Sequence, residues 1–192
     1  MKNDNFASAP SPAGIESGYA RCRVEEVFNV PFDGFLEWFV HEPVENFLLG
    51  TMIVPAISGT EALAGPAWGM PGSARKIFFK DGSTSLERIV ETDFPSSYTY
   101  QPWAYTNPVR FLSDYALATA SVVNEKNQTR FVWDYGFHAR NGLALPLLRA
   151  FVRLDWKRNM ANGLAVLKKR IEVHGIKHRI HEMQDKLLTK GT

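Results

Sequence analysis

The chain has 192 residues, 45% of them apolar and 22% charged, with a formal net charge of +2. That length suits one domain with a sizeable core, since a folded chain of this size buries roughly 70% of the surface its unfolded form exposes. So small a net charge gives no single-sign field of the kind that draws nucleic acid, and Cys22, the only cysteine, excludes an intrachain disulfide, so the fold must rest on burial.

Residues 1–18 are rich in Ser, Pro, Ala, Asn and Gly and poor in large apolar side chains. They cannot repay the entropy of ordering and are expected to form a flexible tail. Neither an apolar leader at the N-terminus nor a run near the ~18 apolar residues of a membrane span is present. With one cysteine, this gives the expectation of a cytoplasmic protein. Asn127-Gln128-Thr129 matches the glycosylation triplet and is read as a chance match in a turn.

From Ala20 to Val30, Cys22, Val24, Phe28 and Val30 share one parity and Arg21, Arg23 and Glu25 the other, the pattern of a half-buried strand; Glu26 interrupts the apolar row. Pro31 fixes φ and can open a helix, and Phe32, Phe35, Leu36 and Phe39 follow at helical spacing, with Pro43 just beyond. Residues 45–70 contain two prolines and four glycines, predicting a turn of helix, one weak strand and much loop. SARKIFFK (73–80) and STSLERIVETD (83–93) read as strands joined at Asp81-Gly82, a dipeptide suited to a two-residue hairpin turn with both central φ values positive. Further strands are predicted over 97–105, 111–123 and 129–139, separated by Asn107-Pro108 and by NEKNQ. Consecutive strands of this kind form an antiparallel sheet.

The last long segment is helical, with Leu147, Phe151, Leu154, Ala161, Leu164, Leu167 and Ile171 approximating one face and Gly175 as the expected C-terminal cap. Lys168, Lys169 and Arg170 suit the negative end of such a helix. The domain is therefore expected over 19–174, with 175–192 a basic C-terminal tail.

The stretches VFNVPFDGFLEWF, GMPGSARKIFFKDGSTSLERIVETDFPSSYTY, TRFVWDYGF and the final helix together resemble the START/Bet v 1 superfamily, specifically the bacterial polyketide cyclase/dehydrase-like (SRPBCC) proteins, over about residues 20–173. The resemblance implies an α+β helix-grip fold: a curved antiparallel sheet wrapped around a long C-terminal helix, with two short helices after the first strand. It also implies a deep, mainly apolar cavity holding lipids, sterols or polyketides. It supplies no shared catalytic motif.

In FVWDYGF, Phe131, Trp133, Tyr135 and Phe137 occupy one strand face and Asp134, Gly136 and His138 the other. An entirely aromatic face points towards the helix, where it either lines a pocket or fills a core. Tyr98, Tyr100, Trp103 and Tyr105 add rings whose polar tips need partners once buried. On the hairpin, Lys76 and Lys80 assign their face to water and place Arg75, Ile77 and Phe79 inward. The returning strand sets Glu87, Ile89 and Glu91 against Leu86, Arg88 and Val90, and either parity is open. An inward Glu87 must pair with a group such as Arg75. It could then transfer protons; facing outward, it would be one member of an ordinary cross-strand pair.

His174, His178, His181, Glu182 and Asp185 stand at spacings of three and four, the pattern of helical metal ligands. Gly175 interrupts them, and they are read as a solvated basic tail with no metal. His41 and His138 have no evident partner and are read as structural or exposed. GMPGS lacks the phosphate-loop and dinucleotide patterns, and no G-x-S-x-G elbow is present.

The first function expected is binding of a hydrophobic small molecule, without a cofactor, by Trp38, Ile77, Phe79, Tyr98, Tyr100 and Trp103, with Phe131, Trp133, Tyr135, Phe151 and Leu154 completing the wall. The second is a cyclase or dehydratase with Glu87 as acid/base and Arg75 as anion stabiliser. The third is a protein-interaction module with a filled core. The expected partner is the small molecule, with no nucleic acid, no membrane span and a homodimer left open.

Overall fold

The computed structural model describes Pro10, residues 18–93 and residues 95–189, except for the side chains of Ala64 and of residues 174–189. The elements run β1 (Tyr19–Phe28), α1 (Phe32–Phe39), a 3-10 turn (Val44–Asn46), β2 (Ile57–Ala64), β3 (Ala74–Phe79), β4 (Thr84–Asp93) and β5 (Ser97–Trp103). A second 3-10 turn (Pro108–Phe111), β6 (Ser113–Glu125), β7 (Gln128–Ala139), α2 (Ala144–Phe151) and α3 (Lys157–Thr189) follow. All seven strands form one antiparallel sheet in the order β1-β7-β6-β5-β4-β3-β2. This is the α+β helix-grip architecture, with the C-terminal helix packed on one sheet face.

The strand parities explain which face is covered. Ala20, Val24 and Phe28 of β1 are buried while Arg21, Arg23 and Glu25 are exposed. Glu26, which breaks the apolar row, receives a hydrogen bond from Lys168 Nζ at 2.8 Å and so lies against α3 as an ion pair. On α1, Phe35 and Phe39 are buried and stack at 5.4 Å between ring centres, with Phe28 and Phe131 completing the cluster.

The β3–β4 hairpin differs from the expected two-residue turn. Its loop is Lys80-Asp81-Gly82: Gly82 N–H donates to Phe79 O at 3.0 Å and Phe79 N–H to Ser83 O at 2.9 Å. Only Gly82 has positive φ, +83°. Asp81 Oδ1 accepts from both Ser83 N–H (2.9 Å) and Ser83 Oγ (2.6 Å), a local bond that favours a type I turn closed by a left-handed glycine.

The C-terminal helix is one rod from Ala144 to Thr189, interrupted by a π turn at Val152–Trp156. Leu148, Phe151, Val152, Trp156, Met160 and Leu164, then Leu167 and Ile171, are buried, whereas Leu147 (63%) and Leu154 (71%) face solvent. The predicted stripe is thus displaced. The wider turn carries an extra residue, which shifts the inward row, and that row includes two polar residues, Asp155 and Asn159. Thr51 Oγ1 donates to Asp155 Oδ2 at 2.6 Å, satisfying the buried carboxylate. The helix also continues through Gly175, where a cap was expected; glycine costs a helix interior only about 1 kcal/mol relative to alanine.

Of the expected N-terminal tail, only Pro10 and Gly18 are among the described residues. Pro10 O accepts from Gln101 Nε2 at 2.9 Å on the sheet face away from the helix. The helical metal-like cluster at 174–185 falls on side chains outside the described residues.

Cys22 Sγ lies 3.5 Å from Met160 Sδ, and burial pushes its thiol up to about 12. Since the thiolate is the reactive form and an ordinary cysteine ionises near ~8.5, maleimide labelling at neutral pH is expected to be roughly a thousandfold slower than for an exposed cysteine. Labelling of the folded chain at the ordinary rate would show that the thiol is not enclosed against Met160.

Candidate functional site

The space between sheet and helix is ringed by aromatic side chains from several elements. β7 supplies Trp133, Tyr135 and Phe137, β5 supplies Tyr100, and the helix supplies Trp156. Ile77, Phe79, Ser85 and Glu87 enter from the β3–β4 hairpin, and Leu48, Val54, Asn107 and Val109 from the segments at the rim. The free volume within this space is about 50 Å³, room for a few water-sized bodies. The deep cavity implied by resemblance is therefore largely closed by its own aromatic rings. A larger hollow of about 390 Å³ at Glu91–Thr99 is open and lined by hydroxyls and carboxylates, so it gives an apolar ligand no shelter.

Inside the wall lies one charged pair. Arg75 and Glu87 face each other directly across β3 and β4. Arg75 donates to Glu87 Oε2 from Nε at 2.9 Å and from Nη2 at 2.7 Å, with the side chains only 17% and 12% exposed. The guanidinium carbon sits 3.7 Å from the ring centre of Trp68, so Arg75 is held by a carboxylate on one side and an aromatic face on the other. The strand parity left open by the sequence is thereby decided: Ser85, Glu87 and Ile89 face the helix side. A bulge follows between Ile89 and Glu91, and Glu91 returns to solvent.

The phenols form a second polar group. Trp133 Nε1 donates to Tyr100 Oη at 3.0 Å, and Tyr105 Oη donates to Pro102 O at 3.2 Å and bonds Tyr135. Burial raises the Tyr98 phenol to about 12 and lifts those of Tyr100, Tyr105 and Tyr135 well above their ordinary value. At neutral pH all four are O–H groups, which donate hydrogen bonds and do not act as bases. The indole Nε1–H of Trp156 is buried with no hydrogen-bond partner among the described residues.

The candidates read from sequence thus divide. Ile77, Phe79, Tyr100, Trp133, Tyr135 and Glu87 line the cavity, with Arg75 bonded to Glu87 and Tyr98 beside Tyr100 at 5.9 Å between ring centres. Phe131 and Phe151 are core residues off the cavity, Phe131 against Phe39 and Phe151 against Phe137 and Trp156. Trp38 packs on Phe35. Leu154 is solvent-facing. Trp103 follows Pro102, which lines the cavity, and by strand alternation lies on the opposite face, 5.8 Å from the guanidinium of Arg88. His138, expected to lack a partner, stacks on Tyr115 at 4.9 Å on that same face.

Sequence reasoning missed Trp68, a lone ring in a Gly/Pro loop, and Trp156, which falls off the assumed helical stripe. Gly50 shapes the rim: its φ is +81°, and a Cβ there would come within 2.4 Å of Ala56 N, so glycine alone allows the chain to turn back towards β2. Among the described residues no helix is long and apolar enough to cross a membrane.

No protein-family model and no curated protein sequence matches the chain. Its fold is shared with solved structures. The crystal structure of Ara h 8.0201 is 21% identical with a TM-score of 0.55, covering 78% of this chain and 99% of that one. A major latex-like protein 151 from Panax ginseng is 16% identical (TM-score 0.59; 80% and 98% covered). TTHA0849 from Thermus thermophilus is 15% identical (TM-score 0.59; 80% and 98% covered). These are Bet v 1-like structures, and the likeness is one of fold.

Proposed function

We propose that the chain binds a hydrophobic small molecule carrying a hydrogen-bond acceptor between the sheet and the C-terminal helix. The observation that carries this reading is the Arg75–Glu87 pair at the wall of a cavity otherwise lined mainly by apolar and aromatic groups. A shielded ion pair is rarely better for stability than well-packed apolar residues, and a polar group on a ligand gives it a role. The unsatisfied Trp156 Nε1–H supports the same reading, because buried donors find acceptors. A volume of about 50 Å³ is below the ~300 Å³ of the smallest drug-sized pockets, so entry requires a wall to move. The segment bearing Leu48 and Val54 is one part of the wall that lies outside the sheet.

A second reading, a cyclase or dehydratase, draws on the same pair together with the neutral phenols. Arg75 would stabilise a developing anion, Tyr100 would hydrogen-bond an enolate oxygen, and Glu87 would carry the proton. The small cavity favours the third reading, a filled core serving a protein contact.

Titration with an anilinonaphthalene dye separates these readings. The wild-type chain is expected to bind in the cavity, and Trp133→Ala to weaken binding roughly tenfold, by loss of the indole wall, while still unfolding cooperatively. A wild-type chain that binds neither this dye nor any apolar molecule retained through native mass spectrometry favours the filled core.

A further inference from the structure

α2 turns an unusual surface outward. Leu143 (90%), Leu147 (63%) and Leu154 (71%) are exposed in one row along α2 and the π turn. The segment before β2 extends this apolar surface. Gly163 of α3 abuts Phe47 and Leu48, and Thr51 bonds Asp155 eight residues nearer the helix start. The chain therefore runs antiparallel to the helix, and its next residues, Met52 (101% exposed) and Ile53 (51%), come beside the turn that bears Leu154.

The exposed charges that α2, the π turn and the first turn of α3 add to this surface are all positive. Arg149, Arg153 and Lys157 occupy exposed positions four apart, and exposed Arg158 lies one turn beyond Leu154. None of these four makes an ion pair among the described residues. From residue 140 to 171 the only acidic side chain is Asp155, buried and bonded to Thr51. The whole chain carries only +2, so the positive charge is concentrated here. Exposed leucines beside a row of cations on one helix match the interface between the headgroups and acyl chains of an anionic bilayer. Each cation near such a surface adds attraction, and the leucines contribute burial.

We propose that the outer face of α2, the π turn and the first turn of α3, with Met52 and Ile53, docks on the surface of an anionic lipid bilayer. The test is cosedimentation of the full chain with sucrose-loaded vesicles of phosphatidylcholine containing phosphatidylglycerol. Wild-type chain is expected to sediment with these vesicles at least tenfold more strongly than with pure phosphatidylcholine. Raising salt from about 0.01 M to about 1 M, which shortens screening from ~30 Å to ~3 Å, should release it. Leu147→Ser/Leu154→Ser and Arg153→Glu/Arg158→Glu, all at exposed positions where folding is not at stake, should each lower the partition at least tenfold. Equal sedimentation with both vesicle types, absence of binding, or double variants that bind like wild type would each overturn the proposal. So would a wild-type chain that is dimeric without lipid and becomes monomeric on Leu147→Ser/Leu154→Ser, since the patch would then belong to a second copy.

Discussion

Replacing Arg75 with methionine is expected to destabilise the chain by about 3 kcal/mol, and adding Glu87→Leu to that variant is expected to recover most of the loss. The reason is the environment of the pair. Both Arg75 bonds reach Glu87 Oε2, at 2.9 and 2.7 Å, and the side chains are 17% and 12% exposed. Methionine leaves a shielded carboxylate without its counter-charge and with little water to replace it, whereas the double variant removes the desolvation cost together with the attraction. Loss of the guanidinium stacked on Trp68 at 3.7 Å adds a destabilisation of the same sign, about 0.5–1 kcal/mol. For a domain of this size the single variant should melt about 6–12 °C lower. Thermal unfolding of wild type, both single variants and the double variant closes the cycle. An unchanged melting temperature for Arg75→Met would mean that the pair is solvated and contributes as little as an ordinary surface pair, and its place at the wall of a binding cavity would lose its meaning.

The second large effect is alkaline unfolding. Tyr100, Tyr105 and Tyr135 line the cavity and Tyr98 packs beside Tyr100, and burial is the largest cause of the upward shift of each. The folded chain therefore holds phenolic protons that the unfolded chain releases near pH ~10. Between the two values the unfolded state binds fewer protons, so stability falls as pH rises. The stability is fully present below pH ~10 and is lost as pH rises through the folded values. Tyr98 alone, raised from 10.0 to about 12, accounts for roughly 3 kcal/mol of that loss. Phenolate absorbance followed beside circular dichroism should show these four groups ionising with loss of structure. Titration of all of the tyrosines near pH ~10 with the fold intact would show instead that water reaches the cavity freely.

Several features were readable from residues alone because their causes are local. Alternation of polar and apolar side chains marked β1, the Asp81-Gly82 turn marked β3 and β4, the aromatic row marked β7, and Pro31 with the phenylalanines at three and four spacing marked α1. The aromatic row of β7 fixed its own inward face, since four rings on one parity have no other place to go. The hairpin at Asp81-Gly82 was placed correctly, but its loop length depended on whether Asp81 bonded Ser83.

What the residues alone did not decide was set by partners distant in the chain. Glu87 faces inward because Arg75 stands opposite it in register and Trp68 covers the guanidinium, and no pattern within β4 distinguishes its two faces. The helix buries Asp155 and Asn159 and exposes Leu147 and Leu154 because a π turn shifts the row and Thr51, more than a hundred residues away, supplies the hydrogen bond Asp155 needs. The size of the cavity was equally beyond the sequence, since an aromatic row serves a pocket or a core alike until the opposing rings are in place. Local periodicity thus determined the strands and helices of this chain, and the resemblance carried by four stretches implied how they assemble; tertiary packing alone decided which polar groups are shielded and how little space remains, because burial depends on what lies across the sheet.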